Sequence, residues 1–429
     1  MSNKYFGTDG IRGKYGEKLD DILAYKTGVA LCGYFGVGKF VVGRDTRVSG
    51  EELESALVEG ITSMGGDVYV VDILPTPAVA RLAIHCGAKC GIMISASHNP
   101  PEYNGIKVFD GNGVKLTEDQ EGSVEYYIDN PPVRKPGGGK KLVRTDSKEE
   151  YIQYLKGAMS ADFRGLKVFL DCGYGAASTV AGLAFESLGA TVTVENYKLR
   201  GEKINSGCGA LYPYYVRNSM KGTDYRLGFS FDGDADRLSV VMDGEIVDGD
   251  TVLYNISRGM QDIKDGVVVG TILNNLGLET RLQQEGRRLV RTPVGDKFIC
   301  DLMYRKGYNI GGEQSGHYIV YPQSTTGDGI MSAMFLADSL YKDGELRPMT
   351  PLQLLPQRAI AEFADPSIMY DREMRRLTEA AEARLSGHGR VIVRMSGTEP
   401  KVRVMVEAAD ATLVDELLAG FKRFINNRV

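Results

Sequence analysis

The sequence predicts an α/β fold: three similar α/β domains with mixed or parallel sheets, then a smaller C-terminal α+β domain. Three observations carry that expectation. One rhythm occurs three times: apolar strand, Gly/Asp/Asn-rich turn, amphipathic helix, glycine stop, second strand. The length of 429 residues leaves room for about three domains at about 150 residues each. The tail then changes to short strands around a turn, flanked by helices.

The first repeat runs through a strand at 39–46, a helix at 49–61 and a strand at 66–71. The second has a strand at 166–171, a helical run reaching 185–189 and a strand at 190–194. The third has a strand at 266–270, a helix at 278–286 and a strand at 288–291. Each is a β-α-β unit, and continuous apolar strands suit a sheet covered on both faces. Ser49-Gly-Glu-Glu52 fits a capping box at the first of these helices. The Pro/Gly/Lys-rich stretch 131–141 reads as an exposed boundary and favours separate domains over one large sheet. In the tail, strands are expected at 358–363, 390–394 and 402–407, with helices at 370–385 and 412–426, built around an antiparallel sheet. The resulting divisions are 1–142, 143–244, 245–350 and 351–429.

Composition excludes several classes. Apolar residues make up 43% and charged residues 25%, which rules out disorder, collagen and coiled coil as whole-chain readings. The formal net charge of −5 argues against a nucleic-acid partner. No apolar run approaches the ~20 residues of a membrane span, so no membrane partner is expected. The start, Met-Ser-Asn-Lys-Tyr-Phe-Gly, does not read as a secretory signal. The six cysteines contain no C-x-x-C pair and are expected to be reduced, and the four histidines are too dispersed for a zinc site. A cytoplasmic protein, monomer or homodimer, is the expectation.

Five segments carry candidate chemistry. Asp232, Asp234 and Asp236, in Phe231-Asp-Gly-Asp-Ala-Asp-Arg237, lie between two apolar runs, so the acids cluster in a loop or at a strand end. Spaced at i, i+2 and i+4, they can converge on one side of an extended segment, and their repulsion calls for a cation. Oxygen-only ligands suit Mg²⁺, with Ca²⁺ or a solvated acidic turn as alternatives. Ser95-Ala-Ser-His-Asn-Pro100 follows an apolar strand, where ligands bind in α/β sheets. Its serines could act as nucleophile or phosphate carrier with Lys107 nearby, or simply make a turn. Arg394-Met-Ser-Gly-Thr-Glu-Pro400, with Arg403 beyond it, offers a guanidinium fork, hydroxyls and glycine to an anion, against the alternative of an ordinary hairpin. In Gly311-Gly-Glu-Gln-Ser-Gly-His317, Glu313, Ser315 and His317 alternate and would share a face if extended, which suits a polyol. Arg12, in the Gly-rich opening 5–13, could reach an anion.

Together and in this order, the five segments resemble the α-D-phosphohexomutase superfamily, and the resemblance spans residues 6 to 403. It implies four domains in a heart shape around a central cleft. It implies an enzyme: a phosphosugar mutase of the isomerase class, an intramolecular phosphotransferase. Ser97 would be the phosphoserine, and Asp232, Asp234 and Asp236 the ligands of one Mg²⁺ per chain, with a phosphoserine oxygen from Ser97 as a further ligand. Arg237, Arg12 and Lys107 would surround that phosphate, and His98 would orient groups or move a proton. Thr292-Pro-Val-Gly295, through Thr292 and Gly295, would help place the sugar with Glu313, Ser315 and His317. Arg394, Ser396, Gly397, Thr398 and Arg403 would hold the phosphate that is not transferred. A bisphosphorylated sugar would prime the enzyme. The opening 6–13 and the Gln of Gly-Glu-Gln-Ser-Gly-His lean towards glucosamine 6-phosphate and glucosamine 1-phosphate, and so towards UDP-N-acetylglucosamine and cell-wall precursors. Glucose or mannose phosphates are the alternative sugars, and a non-catalytic phosphosugar-binding protein is the rival class. Met395 stands where the superfamily often has lysine, and Asp171-Cys-Gly-Tyr-Gly175 departs from its common Asp-x-Ala-Asn-Gly form.

Overall fold

The computed structural model describes residues 4–7, 9–133, 138–396 and 400–428. They form two compact units: Met1–Leu273 with Val290–Thr350, and Asn274–Leu289 with Pro351–Val429. Several α/β sheets build the first unit, and an antiparallel α+β layer builds the second.

The seven-stranded sheet of the first unit runs in the order Phe6–Gly7, Gly10–Lys14, Tyr103–Asp110, Cys90–Ile94, Lys39–Arg44, Asp67–Ile73, Lys141–Val143. Its centre is parallel, with Lys39–Arg44 between Asp67–Ile73 and Cys90–Ile94. These strands are apolar on both faces because helices cover both, and Cys90–Ile94 is buried at every position. Helices Asp21–Phe35 and Gly50–Ser63 pack on one another so closely that a Cβ on Gly28 would fall 2.3 Å from the Leu57 carbonyl. A second sheet has the order Glu245–Val247, Leu238–Met242, Leu227–Phe231, Lys167–Asp171, Thr191–Glu195. Further along, Val267–Thr271 pairs parallel with Ile310–Gly312, which turns back antiparallel into Tyr318–Val320.

Two local expectations differ from the structure. Ser49 precedes helix Gly50–Ser63 but makes no side-chain cap; its hydroxyl instead accepts from Asn104 Nδ2 at 3.0 Å. The capping box that does form is Thr117 with Gln120, ahead of Glu118–Asp129. The helical run expected to reach residue 189 is two short pieces, Ala176–Thr179 and Ala181–Glu186, broken at Val180. The Thr179 hydroxyl donates to the Ala176 and Ile73 carbonyls, a local alternative that competes with a continuous helix.

In the second unit the strands Gln357–Phe363, Lys401–Ala408 and Gly389–Met395 lie in that order, all antiparallel. Helices Arg372–Leu385 and Ala411–Asn426 bury their apolar faces on this sheet. Helix Leu276–Gln284 belongs to the same unit through Glu407, which is fully buried. Glu407 accepts from the Leu276 amide at 2.6 Å and from Arg390 Nε at 2.5 Å. No helix among the described residues is long and apolar enough to cross a membrane.

One buried acid gives the first unit a pH-dependent element. Asp328 caps helix Gly329–Leu340 by accepting from the Met331 amide at 2.9 Å, and it accepts from Tyr151 Oη at 2.6 Å. Burial pushes its carboxyl up to about 6 from the ordinary 3.8. The folded protein therefore holds this proton more tightly than the unfolded chain does. The stability it contributes is full below about pH 4 and is lost as pH rises through 6. Asp328→Asn keeps the capping oxygen and removes the titration. Its unfolding temperature is expected to gain on wild type between pH 4.5 and pH 8, by an amount worth on the order of 1–3 kcal/mol. A gain that is flat with pH would show that the group does not titrate in this range.

Candidate active site

The acid loop is a hairpin end. Leu227–Phe231 and Leu238–Met242 are antiparallel, with Phe231 opposite Leu238, and residues 232–237 close the turn. The segment is not extended as the i, i+2, i+4 argument assumed. Ala235 takes φ +57° and its amide donates to the Asp232 carbonyl at 3.0 Å, so the chain curls and the three carboxylates converge by loop closure. Asp232, Asp234 and Asp236 are all buried, with carboxylate oxygens within 4.8 Å of one another.

Lys107 Nζ lies 2.7 Å from Oδ2 of both Asp234 and Asp236, and Thr76 Oγ1 donates to Asp234 Oδ2 at 2.5 Å. Asp234 Oδ1 and Asp236 Oδ1 are buried and find no hydrogen-bond partner among the described residues. Burial, then the charges of Asp236 and Asp234, push the Asp232 carboxyl up to about 8. Burial acts in the same sense on Asp236, but Lys107 and His317 outweigh it and hold that carboxyl well below the ordinary range. Two orphaned carboxylate oxygens, a strained third acid and an all-oxygen donor set fit a hard divalent cation.

Ser97 sits against this loop. It follows strand Cys90–Ile94, is 1% exposed and adopts φ +53°. A serine in that region costs about 1 kcal/mol and persists only where its surroundings hold it. Its Oγ donates to Asp232 Oδ2 at 2.6 Å and lies 3.2 Å from His98 Nδ1. Burial, helped by Arg237 and Arg12, lowers the His98 imidazole to about 3, so it is neutral at pH 7. The backbone of Ser97 is pinned on both sides. Its amide donates to Ser95 Oγ at 2.8 Å, and Ser95 donates to Asp45 at 2.6 Å. Its carbonyl accepts from Arg47 at 2.8 Å and from Asn205 Nδ2 at 2.9 Å. Gly233 touches the same carbonyl; a Cβ there would lie 2.6 Å from it, so the acid loop reaches Ser97 only with glycine at 233.

Arg47, Asp45, Asn205 and Thr76 are supports the sequence reading missed. Arg47 is 1% exposed and gathers the carbonyls of Ser97, Asn99, Pro100 and Tyr103 as well as Asp45 Oδ2. The only signal was three charges within four residues, Arg44-Asp-Thr-Arg47, at the end of an apolar strand. The departing turn 171–175 is a second support. Asp171 accepts from the Gly173 and Gly209 amides and from Asn196, and the Ala176 amide donates to the Gly233 carbonyl at 2.8 Å.

The three expected cations differ in state. Lys107, 2% exposed, is committed to Asp234, Asp236 and, at 3.2 Å, Asp9. Arg12 is paired with the Asp9 side chain and carbonyl. Arg237 keeps a buried Nε with no hydrogen-bond partner among the described residues, which leaves it available to an anion.

Glu313, Ser315 and His317 do not alternate along an extended strand. The Glu313 amide donates to the His317 carbonyl at 2.9 Å and Gly316 has φ +91°, so they form a hairpin turn. Glu313 accepts from the Gly295 amide at 3.1 Å and from Ser315 Oγ at 3.3 Å. Thr292 points back, its hydroxyl on the Gly270 carbonyl at 3.1 Å. His317 turns inward, with Nε2 3.1 Å from Asp296.

In the second unit, Arg394 and Arg403 are direct cross-strand partners. Like charges placed so destabilise a sheet unless an anion lies between them. Burial and the charge of Arg403 lower the Arg394 guanidinium from its ordinary value. The Ser396 amide donates to the Lys401 carbonyl at 2.8 Å. Gly397 and Thr398 lie outside the described residues. Met395 packs on the apolar core of this unit.

With this geometry in place, comparison with known proteins gives a consistent result. Residues 3–133, 248–356 and 356–423 match, in turn, the phosphoglucomutase/phosphomannomutase alpha/beta/alpha domain I, alpha/beta/alpha domain III and C-terminal domain. The chain is 44% identical over 437 residues to the phosphoglucosamine mutase of Thermotoga neapolitana, covering 99% of this chain and 100% of that one. Among solved structures, a phosphoglucomutase/phosphomannomutase family protein from Burkholderia thailandensis aligns with a TM-score of 0.82 at 24% identity, over 99% of this chain and 97% of that one. The N-acetylphosphoglucosamine mutase of Aspergillus fumigatus, solved with GlcNAc-6P and magnesium, aligns at 0.68 and 17% identity, over 100% and 96%. Three matched domains that together span most of the chain, with 44% identity to a relative over nearly its whole length, place the chain in the phosphoglucomutase/phosphomannomutase family.

Proposed function

We propose that the protein is a phosphosugar mutase that interconverts glucosamine 6-phosphate and glucosamine 1-phosphate through a phosphorylated Ser97. The observation that carries this reading is the 2.6 Å contact of Ser97 Oγ with Asp232, at the edge of a carboxylate cluster with two orphaned oxygens. Asp232, Asp234 and Asp236 would hold Mg²⁺, which neutralises charge on a phosphoryl group in transfer. Phospho-Ser97 gives its phosphoryl to O1 of glucosamine 6-phosphate: the serine O–P bond breaks, the sugar O1–P bond forms, and the O1 proton ends on the Ser97 oxygen. The bisphosphate turns over, and Ser97 takes the 6-phosphoryl as the O6–P bond breaks and the serine proton passes to O6, releasing glucosamine 1-phosphate. A bisphosphorylated sugar charges any serine left empty.

The remaining residues have assignable tasks. His98, neutral and 3.2 Å from Ser97 Oγ, can accept the hydroxyl proton. Arg237 meets the transferring phosphoryl with its unpartnered guanidinium nitrogen. Glu313 and Ser315, at the hairpin tip, accept from sugar hydroxyls. Arg394 and Arg403 bind the phosphate at rest, which relieves their mutual repulsion and spends remote binding energy on orientation. The cytoplasm, where phosphosugars are abundant and six free cysteines stay reduced, is the compartment we assign.

The test is turnover of glucosamine 6-phosphate against glucose 6-phosphate and mannose 6-phosphate, with Mg²⁺ and a bisphosphate primer. A preference for the amino sugar is expected. A clear preference for either sugar lacking the amine overturns the substrate assignment and leaves the phosphoserine chemistry standing.

A further inference from the structure

Around Asp236 the structure closes a ring of six titratable side chains. Lys107 Nζ lies 2.7 Å from Asp236 Oδ2 and 3.2 Å from Asp9 Oδ2. Lys115 Nζ lies 2.6 Å from Asp9 Oδ1 and pairs on its other side with Asp296. His317 lies with Nε2 3.1 Å from Asp296 and Nδ1 3.9 Å from Asp236. Acid and base alternate throughout, and every member is largely buried, Asp9 being the most exposed at 21%. Gly327 makes room for it: a Cβ there would fall 2.1 Å from His317 Nε2.

The ring joins parts of the chain that the chemistry needs in register. Asp9 comes from the opening hairpin, and Lys115 from the turn that follows strand Tyr103–Asp110. Asp236 belongs to the acid loop. Asp296 begins helix Asp296–Lys306, one residue after the Gly295 that contacts Glu313, and His317 closes the sugar-side hairpin. Stability alone does not explain so many buried titratable groups, because packed apolar groups serve a core equally well or better. What an alternating ring adds is fixed geometry, since each cation is held between two acids and cannot move without uncovering one.

Resting on the phosphoryl-transfer reading above, we infer that Asp9, Lys115 and Asp296 are positioning residues. They hold Lys107 and His317 against Asp236, so that the acid loop and the sugar-side hairpin keep one register during transfer. None of the three needs to touch the substrate. Their effect passes through Lys107, which bridges two of the three acids, and through His317.

Lys115→Met and Asp296→Asn are expected to lower kcat at least about tenfold each, with KM for the phosphosugar changing less than about threefold, because small displacements of reacting groups cost rate more than binding. Lys115→Arg, which keeps the charge, should recover most of the loss. A second readout needs no sugar. Lys115→Met leaves surplus negative charge near the acid trio and should tighten Mn²⁺ binding, read by electron paramagnetic resonance. Asp296→Asn should weaken it, and the double variant should return towards wild type. Unchanged kcat in folded single variants, a loss confined to KM, or Mn²⁺ constants that stay put or shift in the same direction would each overturn the inference. Should either single variant fail to fold, the double variant carries the test, since it leaves no charge unpaired; wild-type kcat in it is equally fatal. If the wild type shows no mutase turnover, the functional reading fails while the Mn²⁺ comparison still judges the ring.

Discussion

Ser97→Ala is expected to reduce mutase turnover by at least about 10⁴-fold and leave the fold in place. Turnover needs a covalent carrier, and alanine at 97 offers no oxygen to phosphorus. The loop should nevertheless keep its shape, because its anchors are backbone groups. The amide at 97 still reaches Ser95, and the carbonyl still accepts from Arg47 and Asn205. Alanine carries the same Cβ as serine, so the strain of φ +53° is unchanged. The variant loses the hydroxyl contacts to Asp232 and His98 and little else. Two measurements check this. The initial rate with glucosamine 6-phosphate should fall to background while circular dichroism and the unfolding temperature stay near wild type. The intact mass of the wild-type protein should show a fraction bearing one phosphate, absent from the variant. A phosphate that persists on Ser97→Ala, or turnover within tenfold of wild type, would place the carrier elsewhere.

The parts of this site that are continuous in sequence were legible in it. Asp232, Asp234 and Asp236 fall within five residues, and the apolar strands on either side mark the segment as a loop, so a cation follows from their mutual repulsion, while their burial, which excludes the solvated acidic turn, is seen only in the fold. The 95–100 segment stands out because it follows an apolar strand, and within it the family resemblance points to Ser97. Its supports could not be singled out. Arg47 earns its partners only after the 95–103 segment folds back over it, and Asn205 arrives from more than a hundred residues downstream. The Lys115–Asp296 pair spans 181 residues, and neither side chain has a local pattern that names the other. Alternation misled at 313–317 for a specific reason. A period of two implies a shared face only in extended backbone, and Gly316 at φ +91° bends this stretch into a turn that sends His317 inward and leaves Glu313 at the tip. Ser49 shows the same limit at a helix end, where a distant Asn104 captures the hydroxyl that a capping box would use.

Asp232→Asn should move stability and activity in opposite directions. In the metal-free protein three buried carboxylates face Lys107 and the guanidinium of Arg237, and Asp232 bears most of the misfit. Burial, with Asp236 and Asp234 beside it, pushes its carboxyl up to about 8 from the ordinary 3.8. The native state thus binds that proton more tightly than the unfolded chain. The stability this group supports is present at low pH and is lost as pH rises from about 4 through 8. Asparagine fills the same volume without the charge, and its amide can still bond Ser97 Oγ. In EDTA the variant should therefore unfold at a higher temperature than wild type, with a margin that grows between pH 5 and pH 8 and is worth on the order of a few kcal/mol. Adding Mg²⁺ should reverse the ranking. A cation that binds only the folded state stabilises it by mass action, and a trio reduced to two acids binds it less tightly. Turnover of the variant should fall by on the order of 10²–10³-fold, since charge on the transferring phosphoryl loses much of its compensation. Thermal scans of both proteins in EDTA and in Mg²⁺, at pH 5 and pH 8, decide the matter. If the variant is the less stable protein in EDTA and responds to Mg²⁺ as strongly as wild type, the acid trio is an ordinary buried network and the cation binds somewhere else.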